Sequence, residues 1–213
     1  MRVATNWQRY YQRVRFWYFL FSKVTLPIIW RAYLDLLRGI HFQRPVKIIE
    51  LGCGTGYNTR QISRMFPVEK VSLIDHNPDV LNVAREKLSS LECEKKFILQ
   101  DLFKLDTSEK YDIAHSQGLL EHYTPEEQVK LISLHKDLLT EEGVAIIVVP
   151  TPSLAYRLWR GAQEKLHLWL YSDERAITEA ELISRLEAGG MQILKMKRYH
   201  LMEYGAICRR KKT

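Results

Sequence analysis

Five short apolar runs recur between residues 46 and 149: Val46–Leu51, Lys70–Asp75, Lys96–Gln100, Tyr111–Ser116 and Val144–Val149. Each stops abruptly at turn-forming or charged residues, the pattern of a buried strand. Asn58–Phe66, Pro78–Leu91 and Pro125–Leu139, which lie between runs, carry their apolar residues at helical spacing instead. Pro78 and Pro125 suit a first helical turn, where the missing N–H costs nothing. Repeated strand–helix alternation predicts an α/β, Rossmann-like architecture: a mostly parallel sheet with helices on both faces. The end of the chain breaks the alternation. A helix over Glu179–Ala188 leads into strands Met191–Lys197 and Tyr204–Arg209, whose short link predicts an antiparallel hairpin at the sheet edge.

Two segments stand outside this pattern. Residues 1–41 form an N-terminal helical arm, with Trp7, Tyr10, Tyr11, Val14 and Tyr18 at helical spacing and a second helix from Pro27 to about Gly39. Phe16–Phe21 is apolar throughout, but six residues are far short of the roughly twenty that span a bilayer. No small-residue cleavage site follows, so a signal peptide is not expected. Two readings of the arm stand: helices packed on the domain, or a basic amphipathic segment in peripheral contact with a membrane. Packing is preferred, because both faces of residues 16–21 call for burial. The second segment, residues 151–175, reads as a helical cap inserted into the main domain, residues 42–213.

Composition narrows the class. The chain has 213 residues, 46% hydrophobic and 27% charged, which fits one globular domain with additions. Three cysteines share no metal-ligand spacing and point to reduced thiols in a cytoplasmic setting. The net charge of +7 is concentrated at the ends: seven Lys/Arg against Asp35 in residues 1–41, and seven against Glu203 in residues 195–213. The middle keeps 18 basic and 23 acidic residues, so a nucleic-acid-binding surface over the whole molecule is not the simplest reading. The closing Arg209-Arg210-Lys211-Lys212 is expected to be a solvated tail.

The candidate chemistry gathers at the strand ends. Glu50 closes the first run and meets Gly52, Gly54 and Gly56 at alternate positions, with Cys53 between them. Glycines there let backbone N–H groups approach a ligand closely. Asp75 ends the second run and Asp101 follows the third. Parallel sheets bind ligands beyond the carboxyl ends of their strands, so the three acids face one crevice. Carboxylates accept from ribose hydroxyls and from an exocyclic amine, which describes a nucleoside site. A nicotinamide dehydrogenase is the weaker reading, because its fingerprint asks for a glycine where this chain has Tyr57.

The stretch Glu50-Leu-Gly-Cys-Gly-Thr-Gly56 resembles the first motif of class I S-adenosylmethionine-dependent methyltransferases. The likeness continues through Leu73–Asp79, Gln100–Phe103, Tyr111–His122 and Gly143–Pro150. It implies a seven-stranded sheet with one antiparallel strand near the edge, and S-adenosylmethionine as cofactor, leaving as S-adenosylhomocysteine. It also implies that the glycine loop backs the methionine part, with Glu50 ordering the loop or the ammonium. Asp75 would hold the ribose, His76 would lie beside the adenine, Asp101 and the Leu102 amide would meet the adenine edge, and Gln117 would lie near the methionine ammonium.

A methyl on a sulfonium is already activated, so alignment supplies much of the catalysis and no metal is required. An oxygen acceptor benefits from a base, and His122, just past the fourth strand, is the candidate; its alternative role is as part of the cleft wall. All five tryptophans lie in the arm and in residues 151–172. The expectation is a small apolar or aromatic acceptor, an anionic one included, between arm and cap, with Tyr11 and Trp159 as contacts; the alternative is that arm and cap only pack together. A nucleic-acid (RNA) methyltransferase using the basic termini lacks an Asn/Asp-Pro-Pro-Tyr signature, Ser116-Gln-Gly-Leu standing in its place. A non-catalytic cofactor-binding domain is the third reading.

Overall fold

A computed structural model describes Thr5 and residues 30–31, 33–169, 171–199 and 201–211. The strands are β1 (Val46–Leu51), β2 (Val68–Asp75), β3 (Glu94–Leu99), β4 (Tyr111–Gln117), β5 (Leu139–Pro150), β6 (Met191–Tyr199) and β7 (Glu203–Arg210). The helices are α1 (Tyr57–Ile62), α2 (Pro78–Lys87), α3 (Pro125–Leu138), α4 (Leu154–Lys165) and α5 (Glu179–Ala188), preceded by a helical segment through residues 33–37.

Neighbouring strand residues part to opposite faces of the sheet, as a period of two requires. Ile48, Leu73, Ile113, Ile146 and Ile207 pack with Tyr33, Leu36, Leu37, Ile62, Leu81 and Ala84. Ile49, Ile74, Ala114, Ile147 and Ala206 pack with Leu131, Ile132, Leu182 and Leu186. Both faces are covered, which is why the strands read as continuous apolar runs rather than as alternation. Each fully buried Leu or Ile contributes about 1.5–3 kcal/mol. The sheet order is β3-β2-β1-β4-β5-β7-β6, with β7 antiparallel to β5 and β6. Its order reverses between β1 and β4, the switch point at which open parallel sheets bind ligands.

Local chemistry sets the boundaries. Thr124 and Thr178 form capping boxes with Glu127 and Glu181, opening α3 and α5. Asn77 caps α2, accepting from Asp79 N, with Pro78 in the first turn. α1 stops at Ile62, short of the expected Phe66, because Arg64 N and Met65 N bond three residues back and tighten the chain out of α-geometry. Arg209 and Arg210 are not part of a free tail as expected, while Lys212 lies outside the described residues. Arg209 and Arg210 are the last residues of β7, and Arg210 donates to the carbonyls of Lys136 and Asp137. Those carbonyls lie at the end of α3, where a guanidinium satisfies groups without helical partners.

Tyr11 and the rest of residues 6–29 lie outside the described residues. Thr5 is described and buried, and both its backbone N–H and its hydroxyl donate to Asp173. α4 buries only Tyr156, while Leu154, Leu158 and Trp159 are exposed. Among the described residues no helix is long and apolar enough to cross a membrane.

Candidate functional site

The loop after β1 turns through Gly52, Gly54 and Gly56, all at positive φ (64°, 49° and 66°). At Gly56 a Cβ would stand 2.7 Å from Leu73 Cδ2 and 2.8 Å from Leu88 Cδ1, so this position serves backbone geometry and close packing together. Asp75, at the tip of β2, organises the same loop. Its Oδ2 accepts from Gly54 N (2.9 Å) and its Oδ1 from Asn77 N (2.9 Å). Each carboxylate oxygen retains a second lone pair for a ligand hydroxyl. Beside it His76 is largely exposed, its Nδ1 3.7 Å from Asp75 Oδ1. Asp101 lies past β3, where it is exposed and caps the short turn Leu102–Lys104 by accepting from Phe103 N (3.0 Å). Leu102 is buried. Cys53 is buried, and desolvation raises its thiol pKa well above the ordinary value, so it is a wall of the loop rather than a nucleophile.

Glu50 is buried beneath this loop. Thr59 donates to it through Oγ1 (2.6 Å), and the same hydroxyl lies 3.1 Å from His115 Nε2. The network assigns the protons: the hydroxyl hydrogen goes to Glu50, so His115 Nε2–H donates to Thr59. Burial pushes Glu50 up to about 7 against the opposing hydrogen bonds, and pushes His115 down to about 3. From Glu50 the polar chain continues outward. Asn58 Nδ2 donates to Gln117 Oε1 (3.0 Å), and Gln117 Nε2 reaches Glu203 Oε1 (3.3 Å). Burial raises Glu203 to about 7.

Beyond β4 a second group of polar side chains converges. His122 Nδ1 lies 2.8 Å from Asp173 Oδ1, and Asp173 also accepts from Thr5. Tyr156 donates to Glu174, and Arg160 donates to the Tyr156 hydroxyl (3.3 Å) and to the Glu174 carbonyl (3.0 Å). Glu121 is buried, and its backbone carbonyl accepts from Arg175 N. Tyr123 links the two regions: its ring meets Phe103 edge-on at 5.4 Å, and burial pushes its hydroxyl up to about 12, with Asp101, Asp75 and Asp173 among the charges acting on it.

A sequence profile of the methyltransferase domain family matches residues 48–143. A malonyl-[acyl-carrier protein] O-methyltransferase of Bacillus cytotoxicus is 32% identical over 155 residues, 70% of this chain. The match spans about half of that relative's length, 53%. The chain carries a class I S-adenosylmethionine-dependent methyltransferase domain. The fold agrees. An S-adenosylmethionine-dependent methyltransferase from Clostridium acetobutylicum superposes with a TM-score of 0.69 at 14% identity, over 93% of this chain and 99% of its own. Magnesium protoporphyrin IX methyltransferase from Synechocystis, solved with S-adenosylhomocysteine, gives 0.68 at 19% identity, over 85% and 82%.

The methyltransferase cofactor, S-adenosylmethionine, suits the residues present. Glu50, Asp75 and Asp101 stand at adjacent strand ends around a loop that turns through three glycines at positive φ. The structure therefore gathers Glu50, Gly52, Cys53, Gly54, Gly56, Asp75 and Gln117 at the ends of β1, β2 and β4, with His76, Asp101 and Leu102 alongside. It puts Trp159 elsewhere, on the exposed face of α4. Sequence reasoning missed Asn58, Thr59, Asp173, Glu174 and Glu203 as members of the polar networks. Glu121 stood in view beside His122, but Asp173 and Glu174 lie about fifty residues on, and only the fold brings them to His122.

Proposed function

We propose that this domain transfers the methyl group of S-adenosylmethionine to a hydroxyl oxygen of a small-molecule acceptor at the Glu121–His122 end of the crevice. The observation that carries this reading is the register of the strand-end acids. Asp75 orders the glycine loop, and Asp101 stands at the neighbouring strand end, so acceptors for ribose and adenine adjoin a loop held at positive φ. When bound, the cofactor supplies an electrophilic methyl carbon. Transfer to the acceptor oxygen would be an in-line displacement, with the C–S electron pair kept by sulfur and the hydroxyl proton passed to a base or to solvent. Asp75, Asp101 and the loop fix one partner of that in-line step, and proximity supplies the larger share of the rate.

His122 is the residue we assign to the acceptor oxygen. Asp173 accepts from Nδ1–H, which fixes the ring and its tautomer, as a general base or a ligand both require. Desolvation of Asp173 is outweighed by hydrogen bonds from Thr5 and His122, so it stays below the ordinary carboxylate range, and its negative charge disfavours an anionic acceptor in favour of a neutral hydroxyl. Small-molecule transfer is favoured over nucleic acid because described basic residues of the C-terminal region are already engaged. Lys195 and Lys197 bond Asp35, and Arg209 bonds Gln192.

Calorimetry with S-adenosylmethionine tests the cofactor, and no heat at high micromolar ligand would sink the reading. A labelled-methyl screen over phenols, alcohols, carrier-bound acyl thioesters and RNA tests the acceptor class. Label on RNA alone would replace the small-molecule assignment.

A further inference from the structure

Glu121, His122 and Glu174 each place one ligand atom within 4.8 Å of the other two. They form the only such trio of His, Cys, Asp and Glu among the described residues. Acidic groups gather on many surfaces without binding anything, but this trio is not on the surface. Glu121 is 3% exposed, and its Oε2 has no hydrogen-bond partner. A buried carboxylate oxygen without a donor is costly, since desolvation is not offset by any bond. The neighbours do not supply the missing charge. Asp173 and Glu203 are also acids, and Arg160 gives its hydrogen bonds to Tyr156, Glu164 and the Glu174 carbonyl.

We infer that Glu121, His122 and Glu174 form a divalent-cation site at the acceptor end of the crevice. The outer partners are those a metal site needs. Asp173 accepts from His122 Nδ1–H, the carboxylate–histidine pairing that presents Nε2 to an ion. Thr5 donates to Asp173 and so steadies that carboxylate. Tyr156 donates to Glu174 Oε1, which leaves Oε2 as the natural ligand atom. Ligands about 2.1 Å from an ion stand at most about 4.2 Å apart, so atoms already within 4.8 Å of one another need little movement to bind one. One imidazole with two carboxylates is a borderline donor set, suited to Mn²⁺ or Zn²⁺ more than to Ca²⁺. Three protein ligands leave positions for an acceptor oxygen, and a hydroxyl bound there loses its proton to solvent more readily.

This inference rests on the acceptor placement proposed above and refines it: His122 acts on the acceptor oxygen by holding the ion rather than by taking the proton itself. The cation is testable without turnover. Mn²⁺ titration of the full chain, followed by electron paramagnetic resonance, should show one saturable site, and Zn²⁺ should compete for it. Glu174→Gln, which keeps an acceptor for Tyr156, and His122→Ala should each weaken Mn²⁺ at least about tenfold, and Asp173→Asn about tenfold through the ring it orients. Calorimetric binding of S-adenosylmethionine by the same proteins should persist, which shows that they are folded. Absence of saturable Mn²⁺ or Zn²⁺ binding up to millimolar concentration, or equal binding by wild type and variants, overturns the site. That outcome leaves the methyltransferase reading standing, whereas loss of S-adenosylmethionine binding by the wild type removes that reading whatever the metal does.

Discussion

Asp75 shows how one side chain serves fold and ligand together. It closes the glycine loop through Gly54 N and anchors the start of α2 through Asn77 N. Charge-assisted bonds of this kind contribute about 1.5–3 kcal/mol each. Asp75→Ala should therefore weaken S-adenosylmethionine by about 10- to 100-fold in calorimetry, and unchanged affinity would refute the ribose assignment. Glu203 gives a prediction of a different kind. Its buried carboxyl is raised from the ordinary range to about 7, so the folded state holds the proton more tightly than the unfolded chain does. That contribution is fully present below about pH 4.5 and is lost as pH rises through about 7. Glu203→Gln should be more stable than wild type at pH 8, by on the order of 1–3 kcal/mol in urea unfolding, and nearly indistinguishable at pH 5. Equal stability at pH 8 would show that the carboxylate is solvated. At this scale the acids at strand ends were legible in the sequence, because a carboxylate after an apolar run has few bland explanations. Glu203, Asp173 and Glu174 were not, since their meaning comes from long-range contacts that no local pattern encodes.

At the level of elements, boundaries followed from capping chemistry, and errors arose where tertiary contact overrode it. Pro125 announced α3, and capping boxes at Thr124 and Thr178 fix the starts of α3 and α5, whereas Arg210 looked like a solvated charge until the end of α3 supplied its acceptors. The β1–α1 turn is the element most exposed to mutation. Gly56→Ala asks for φ 66° and drives a Cβ into Leu73, Leu88 and Ala84. About 1–3 kcal/mol should be lost in chemical denaturation, and a change below about 0.5 kcal/mol would show that the turn relaxes freely. α4 should behave in the opposite way. Leu158 is 66% exposed, so Leu158→Ser should alter stability by less than about 0.5 kcal/mol. Tyr156→Phe on the same helix removes the donor to Glu174 and should cost about 1 kcal/mol or more. A reversal of that order would mean that the outer face of α4 is covered in solution.

Across the whole molecule, the apolar strand runs and helical stripes specified the two-faced sheet because each layer needs the other to bury its surface. The proposed acceptor region was harder to read, since it is assembled from Thr5, His122, Tyr156, Asp173 and Glu174, brought together by the fold rather than by sequence. The candidate cofactor residues come together only in the folded chain, at the ends of β1, β2 and β4, so occupation there should register as global stability. A ligand that binds only the folded state stabilises it by RT ln(1 + [L]/Kd), about 2.7 kcal/mol at a hundredfold excess over Kd. For a chain of 213 residues that corresponds to a rise in Tm of about 5–10 °C. At the same concentration Asp75→Ala, binding about 10- to 100-fold more weakly, should gain only about 1–5 °C. Glu174→Gln should keep the full rise, because Glu174 faces the acceptor end and not the nucleoside end. A wild-type shift near zero would remove the cofactor site, and a full shift in Asp75→Ala would move the ribose to another residue. If Glu174→Gln lost the shift instead, the two ends of the crevice would be energetically one site, and the separation drawn between cofactor and acceptor residues would have to be abandoned.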